Sequence, residues 1–144
     1  MKSFLCKGKR PVIRWSLLPD ETFFEGPLPE GYSLAVMPSQ GVIVVDIDRH
    51  GTIDGFDNIP IELYDELKAT LSYPTKNDGM HCWFQYTGSK PLANKASGQG
   101  IDLRVGCKGY VIWYPNEDVR DNMHFINPTS ALMNKWLEKL FSYV

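Results

Sequence analysis

Two carboxylates one residue apart, Asp46 and Asp48, close the apolar stretch Gly41-Val42-Ile43-Val44-Val45-Asp46-Ile47-Asp48. On an extended chain the side chains at i and i+2 share a face, so both acids point the same way, ~7 Å apart along the strand, while Ile47 faces the opposite side. Acids held on a rigid strand can share one Mg²⁺, or bridge two ions ~4 Å apart, because the cation offsets a repulsion that otherwise raises one acid's pKa. A plainer reading fits the same residues: an ordinary strand running into a solvated turn, in which Asp48 and Gly51 serve turn geometry. Two further pieces bear on the choice. His81 follows the glycine-containing loop Lys76-Asn77-Asp78-Gly79, and Asp102, in Ile101-Asp102-Leu103-Arg104-Val105, is a third acid on an alternating segment. For His81 a structural, hydrogen-bonded role and a functional one both stand, and Asp102 with Arg104 also fits an exposed ion pair.

The elements that must carry these residues follow from local pattern. Four branched apolar residues with no helical spacing describe Gly41–Asp48 as a strand buried on both faces, entered from the turn Pro38-Ser39-Gln40-Gly41, which would bring Ser39 and Gln40 near the site. Met80–Tyr86 alternates, with Met80, Cys82, Phe84 and Tyr86 on the core side and His81, Trp83 and Gln85 on a polar, amphipathic side. Ile101–Val105 points Ile101, Leu103 and Val105 inward and is expected to form a hairpin with Tyr110–Tyr114 across the turn Gly106-Cys107-Lys108-Gly109. Helical spacing marks Ile61–Leu71, with Asn58 or Asp57 as cap and Pro60 in the first turn. A second helix, opened by Pro128-Thr129-Ser130, runs to about Phe141, with Leu132, Met133, Trp136, Leu137, Leu140 and Phe141 on its apolar face. Tyr32–Met37 and an edge segment, Pro11–Trp15, read as short strands, and Pro19–Gly31 reads as an irregular connection.

The totals narrow the class. At 144 residues, 43% hydrophobic and 22% charged, residues 1–144 are expected to form one domain with a real core. No apolar run of eighteen residues and no signal-peptide layout is present, which predicts a cytoplasmic protein with no membrane partner. Cys6, Cys82 and Cys107 are widely separated and read as free thiols. A net charge of -2 argues against coating nucleic acid by bulk electrostatics. The amino end is nonetheless locally basic: Lys2, Lys7, Lys9, Arg10 and Arg14 all precede the first acid, Asp20. Of these, Lys9 and Arg10 are candidates to meet nucleic-acid phosphates, whereas Lys2 and Lys7 read as a solvated terminus.

Taken in order, Asp46-Ile47-Asp48, Gly79-Met80-His81 and Ile101-Asp102 resemble the bifunctional primase-polymerase family of the archaeo-eukaryotic primase superfamily. Val42–Gly51 is similar to the family's strand and turn, Thr75–Phe84 to its loop, histidine and aromatic strand, and Gly100–Pro115 to its Gly-Ile-Asp-x-Arg and Gly-Tyr-Val-x-x-x-Pro segment. The resemblance implies an α+β fold, with an RNA-recognition-like, mainly antiparallel sheet flanked by helices and a second small α/β element beside the cleft. It further implies that Asp46, Asp48 and Asp102 carry divalent metals, Mg²⁺ or Mn²⁺, and that His81 contacts the triphosphate of an incoming nucleotide. Asp78 departs from the family's glycine- and serine-rich loop and would place a negative charge near those phosphates.

The residues suit that chemistry. Phosphoryl transfer mainly asks an enzyme to position groups and neutralise charge, so three carboxylates with two ions, His81 as a donor to phosphate, and Arg104 and Lys108 as further phosphate contacts form a coherent set. The expected activity is template-directed nucleotidyl transfer, a DNA primase/polymerase acting on single-stranded template and nucleoside triphosphates in viral or plasmid replication, with a separate helicase or other replication protein as partner. Two rivals use the same residues: a metal-dependent nuclease or phosphodiesterase, and a nucleotide- or nucleic-acid-binding accessory protein.

Overall fold

The computed structural model describes residues 1–143; Val144, the last residue of the expected domain, lies outside the described residues. In chain order the strands are β1 (Lys2–Lys7), β2 (Arg10–Pro11), β3 (Tyr32–Met37), β4 (Val42–Ile47), β5 (Arg49–His50), β6 (Ile53–Asp54), β7 (Ser72–Pro74), β8 (Met80–Gln85), β9 (Lys95–Ala96), β10 (Ile101–Val105), β11 (Val111–Trp113) and β12 (Asn127–Pro128). The helices are α1 (Tyr64–Ala69) and α2 (Ala131–Phe141). The fold is α+β, with sheets that are mainly antiparallel.

The larger sheet is organised around β4, which has β8 on one edge and β10 on the other, both antiparallel. β7 and β12 share the far edge of β8, and β9 extends the sheet beyond β10. One face of this sheet packs on the helices: Ile43, Val45, Ile47, Cys82, Phe84, Ile101 and Leu103 meet Leu63, Leu67, Met133, Leu137 and Phe141 in one buried cluster. The other face packs on the smaller sheet, ordered β11-β3-β1-β2, where Val42, Val44, Tyr73 and Trp83 meet Val36, Val111 and Trp113. β4 is therefore apolar on both faces because both are covered.

Several expectations need correction. The side of β8 carrying His81 and Trp83 is not a solvated polar face: Trp83 is fully buried against Trp113, because the smaller sheet lies over it. Ile101–Val105 and Tyr110–Tyr114 do not form a hairpin. After the turn at Gly106–Gly109, β11 crosses to the smaller sheet and pairs with β3, where Val111 and Trp113 complete the layer between the sheets. The amino end is likewise a core strand. β1 pairs along its whole length with β3 and buries Phe4 and Cys6, and Lys2 is buried with its ammonium donating to the Trp15 carbonyl at 3.3 Å. The expected strand at Pro11–Trp15 reduces to the two residues of β2, followed by a 3₁₀ turn at Trp15–Leu17.

The helical segment at Ile61–Leu71 begins as a 3₁₀ turn, Ile61–Leu63, continues as α1 and stops at Ala69, because the chain must extend again to form β7. Of the two expected caps, Asn58 acts elsewhere, its amide donating to the Gln99 carbonyl at 2.8 Å, and Pro60 takes the cap position. α2 starts as expected, the Ser130 hydroxyl accepting from the Met133 N–H at 3.1 Å, although Leu132 remains half exposed outside the core.

Candidate active site

The register of the larger sheet places His81, Asp46 and Asp102 in one row across three adjacent strands, because Asp46 on β4 stands opposite both His81 on β8 and Asp102 on β10. Directly opposed side chains of antiparallel neighbours lie about 5 Å apart, so an acid pair and a histidine are brought together with no loop involved. Asp48 sits one residue past the end of β4. Its N–H donates to the Gly100 carbonyl and its carbonyl accepts from the Gly55 N–H, both at 2.8 Å, which fixes it over the start of β10. Gly100 has φ +78°, and a Cβ there would stand 2.7 Å from the Gly55 nitrogen, so this approach requires glycine. The result is a cluster in which Asp46, Asp48 and Asp102 each offer one oxygen within 4.8 Å of the others.

His81 is set from behind. Its Nδ1 lies 3.1 Å from the Tyr73 hydroxyl and its Nε2 lies 3.3 Å from Asp46 Oδ1. The second contact is an ion-pair approach, not a well-aligned hydrogen bond, and it leaves Asp46 Oδ1 buried without a hydrogen-bond partner. The loop before His81 is a tight hairpin: the Thr75 N–H donates to the Gly79 carbonyl at 3.0 Å, and Asp78 takes φ +60°. A Cβ at Gly79 would overlap the Ile47 carbonyl and come within 2.7 Å of Thr75 Oγ1, so the small residue two before the histidine lets β8 close on β4.

The three acids differ in their environments. Burial and the charges of Asp46 and Asp102 push the Asp48 carboxyl up to about 6. Burial, then the Asp46 charge, also raises Asp102, against the opposing charge of Arg104. Burial works against ionisation of Asp46 as well, but the His81 imidazole and the Arg104 charge outweigh it and hold this carboxyl below the usual range. A half-desolvated carboxylate cluster of this kind repels itself, and one of its buried oxygens has no well-aligned hydrogen-bond donor. Hard oxygen donors, mutual repulsion and the orphaned Asp46 oxygen together fit a divalent cation such as Mg²⁺ or Mn²⁺.

Beside the cluster a cleft of about 670 Å³ opens between the two sheets. Asp46, Asp48 and His81 line it, and so do three of the expected basic residues, Lys9, Arg104 and Lys108. Arg104, two residues beyond Asp102 on the same strand face, reaches Asp102 at 3.8 Å, a loose contact, and its side chain remains 30% exposed. Arg10 is exposed on β2 and does not line the cleft, whereas Lys9 does, its carbonyl accepting from the Tyr110 hydroxyl at 3.2 Å. Ser39 and Gln40 lie at the opposite end of β4 from the carboxylates and do not line the cleft either. Asp78 is exposed and stays outside, although its neighbours Thr75, Lys76 and Asn77 line the opening. Residues not singled out from sequence also appear: Lys76, Arg49, His50 and an aromatic wall of Trp15, Tyr110 and Tyr114. Their signal was faint. Lys76 looked like one of several turn residues, and the aromatics sat in segments read only as short strands.

With this geometry in view, the model of the bifunctional DNA primase/polymerase N-terminal domain matches residues 8–136. The chain belongs to that family. The matched span runs from the turn between β1 and β2 into α2 and so contains every residue of the carboxylate cluster and its histidine. Membership supports a primase/polymerase-type nucleotidyltransferase role, with DNA and nucleotides as substrates, for a family whose members generally use divalent metals. No curated protein matches the chain. Among the described residues, no helix is long and apolar enough to cross a membrane.

Proposed function

We propose that the protein is a template-directed DNA primase/polymerase that joins nucleoside triphosphates to a primer or an initiating nucleotide during DNA replication, with residues 1–144 acting as one catalytic domain. The observation that carries this reading is the convergence of three carboxylates, each with an oxygen within 4.8 Å of the others, beside a cleft rimmed by lysine and arginine that Asp46 and Asp48 line. Nuclease chemistry could use the acids alone. The basic rim facing them suits a polyanionic triphosphate as well as a nucleic-acid strand.

Asp46, Asp48 and Asp102 would hold two divalent ions, Mg²⁺ or Mn²⁺, which supply charge neutralisation and a lowered pKa for an attacking 3′-hydroxyl. The chain does the rest by placement. β4 and β10 fix the acids rigidly, and the backbone bonds from Gly55 and Gly100 stop Asp48 from swinging away. His81 donates from Nε2 to a phosphate oxygen of the incoming nucleotide. Arg104 and Lys108 contact further phosphates along the face of β10, and Lys9, with Arg10 farther out, meets the single-stranded template. Residues of the smaller sheet form one wall of the cleft. Unwinding the template falls to a separate helicase or other replication protein.

Extension of a labelled primer on a template, with dNTPs and Mg²⁺ or Mn²⁺, tests the proposal, and a parallel reaction without primer tests priming. Metal-dependent products longer than the primer, absent with Asp46→Ala and with Asp102→Ala, are the expected result. Shortening of the primer in those lanes would replace the reading with a nuclease. Unchanged length with intact nucleotide or DNA binding would replace it with a binding protein.

A further inference from the structure

Tyr73 is a buried polar residue to which the proposed chemistry gives no task. It stands opposite His81 across the β7–β8 pair and is wedged under the smaller sheet, its ring 5.1 Å from that of Trp113 and 5.3 Å from that of His81, edge-on to both. Its hydroxyl has two partners, Trp83 Nε1 at 3.0 Å and His81 Nδ1 at 3.1 Å, and no other hydrogen bond involves it among the described residues. Burial raises the Tyr73 phenol well above its ordinary pKa, so it keeps its proton.

The donor inventory then leaves one arrangement with every proton placed. An indole N–H can only donate, so the Tyr73 oxygen accepts from Trp83. The phenolic proton needs an acceptor, and His81 Nδ1 is the one available. Were Nδ1 itself protonated, it would donate to the remaining lone pair of the phenol, and the Tyr73 proton would be buried with nothing to receive it. Neutral His81 therefore carries its proton on Nε2, the nitrogen turned toward Asp46 at 3.3 Å and toward the cleft.

We propose that Tyr73 is a positioning residue: held by Trp83, it fixes His81 as the Nε2–H tautomer, so that this side chain presents a donor to the cleft. The chain of bonds runs Trp83 to Tyr73 to His81, from the dry layer between the sheets out to the reacting face. Its kinetic consequence rests on the phosphate contact proposed above for His81, whereas the tautomer does not. As with the groups that orient metal-bound histidines, loss of the outer partner should change function without removing the residue that touches substrate.

The test uses the full chain labelled with ¹⁵N. Long-range ¹H–¹⁵N spectra at alkaline pH, where imidazole is neutral, distinguish protonated from bare ring nitrogens, and His81→Gln identifies the His81 signals among those of three histidines. Nε2 protonated and Nδ1 bare is the expected pattern, giving way in Tyr73→Phe to a mixture of tautomers. Nδ1–H in the native protein, or the native pattern kept in Tyr73→Phe, overturns the proposal. Should Tyr73→Phe fail to fold, the native protein still decides: a Tyr73 hydroxyl proton coupled through its hydrogen bond to His81 Nδ1 supports the assignment, and a Tyr73 hydroxyl in free exchange with solvent refutes it. In primer extension, Tyr73→Phe should raise the nucleotide KM about tenfold with a smaller change in kcat. An unchanged KM alongside a lost tautomer would refute the role in nucleotide contact. Absence of any extension by the native protein would count against the polymerase reading while leaving the spectroscopic result standing.

Discussion

β4 presents Ile43, Val45 and Ile47 to the helices, and Val42, Val44 and Asp46 to the smaller sheet. On the helix side the apolar packing continues to the end of the strand, where Ile47 and Ile101 are fully buried. On the other side it stops after Val44 and Trp83, and the next row is Asp46, His81 and Asp102. The same three strands thus carry a closed core on one face and a core that opens into a cleft on the other. A carboxylate at the mouth of a dry layer is desolvated enough to have its pKa moved, yet accessible enough to meet a cation and a phosphate. Moving the acids one residue along would bury them among the helices, where no partner could offset their charge.

The difference between the faces can be broken deliberately. The largest effect should come from the open face: Asp46→Ala or Asp102→Ala should lower primer extension about 10³-fold or more while the protein stays folded, because each removes a group that matters at the reacting centre and not in the core. Single-turnover assays beside a thermal melt would show it, and retained activity in either variant would remove that acid from the site. The closed face should respond in the opposite sense. Leu137→Ala, fully buried on α2, should cost about 2–5 kcal/mol in denaturant unfolding and leave the activity of the folded fraction intact.

Acidity sharpens the comparison further. Asp48 has a folded pKa of about 6, above its ordinary value of 3.8, so the folded state holds this proton more tightly than the unfolded chain does. Stability of the metal-free protein should therefore fall as pH rises from about 4 to about 6, and Mn²⁺ should restore it above that window. Melting midpoints measured across pH, in chelator and in Mn²⁺, would show two curves that diverge upward. Curves that stay parallel, or an Asp48→Asn variant with the native pH dependence in chelator, would contradict it. The smallest effect is expected at the rim. Lys9→Ala should weaken single-stranded DNA binding roughly threefold and reduce the salt slope by about 0.7, whereas Arg10→Ala, outside the cleft, should do less. Equal losses in both would mean that nucleic acid follows β2 and not the cleft.

Much of the site could be read before the fold was known. Alternation with period two placed Asp46 and Asp48 on one face and gave Asp102 and Arg104 a shared one, and the mouth-of-strand position of His81 followed in the same way. Asp102, Asp46 and His81 became neighbours only through strand pairing, which joins residues far apart in the chain. The basic lining was half legible: Lys9, Arg104 and Lys108 stood out, but Lys76 comes from the loop between β7 and β8, and the Tyr110–Tyr114 wall reaches the cleft because β11 leaves β10 for the smaller sheet.

What the sequence by itself determined is local: that the segments of β3, β4, β8 and β10 extend, where α2 begins, which side chains share a face, and that acids end the central strand. These depend on spacing, turn chemistry and capping, all set within a few residues. Only the tertiary structure decided that β1 is a core strand with Lys2 buried, that Trp83 faces a second layer, and that Tyr73 stands behind His81. Each of these depends on what covers a face. An alternating strand looks the same in sequence whether its second face meets water or another sheet, and the partner that decides lies tens of residues away.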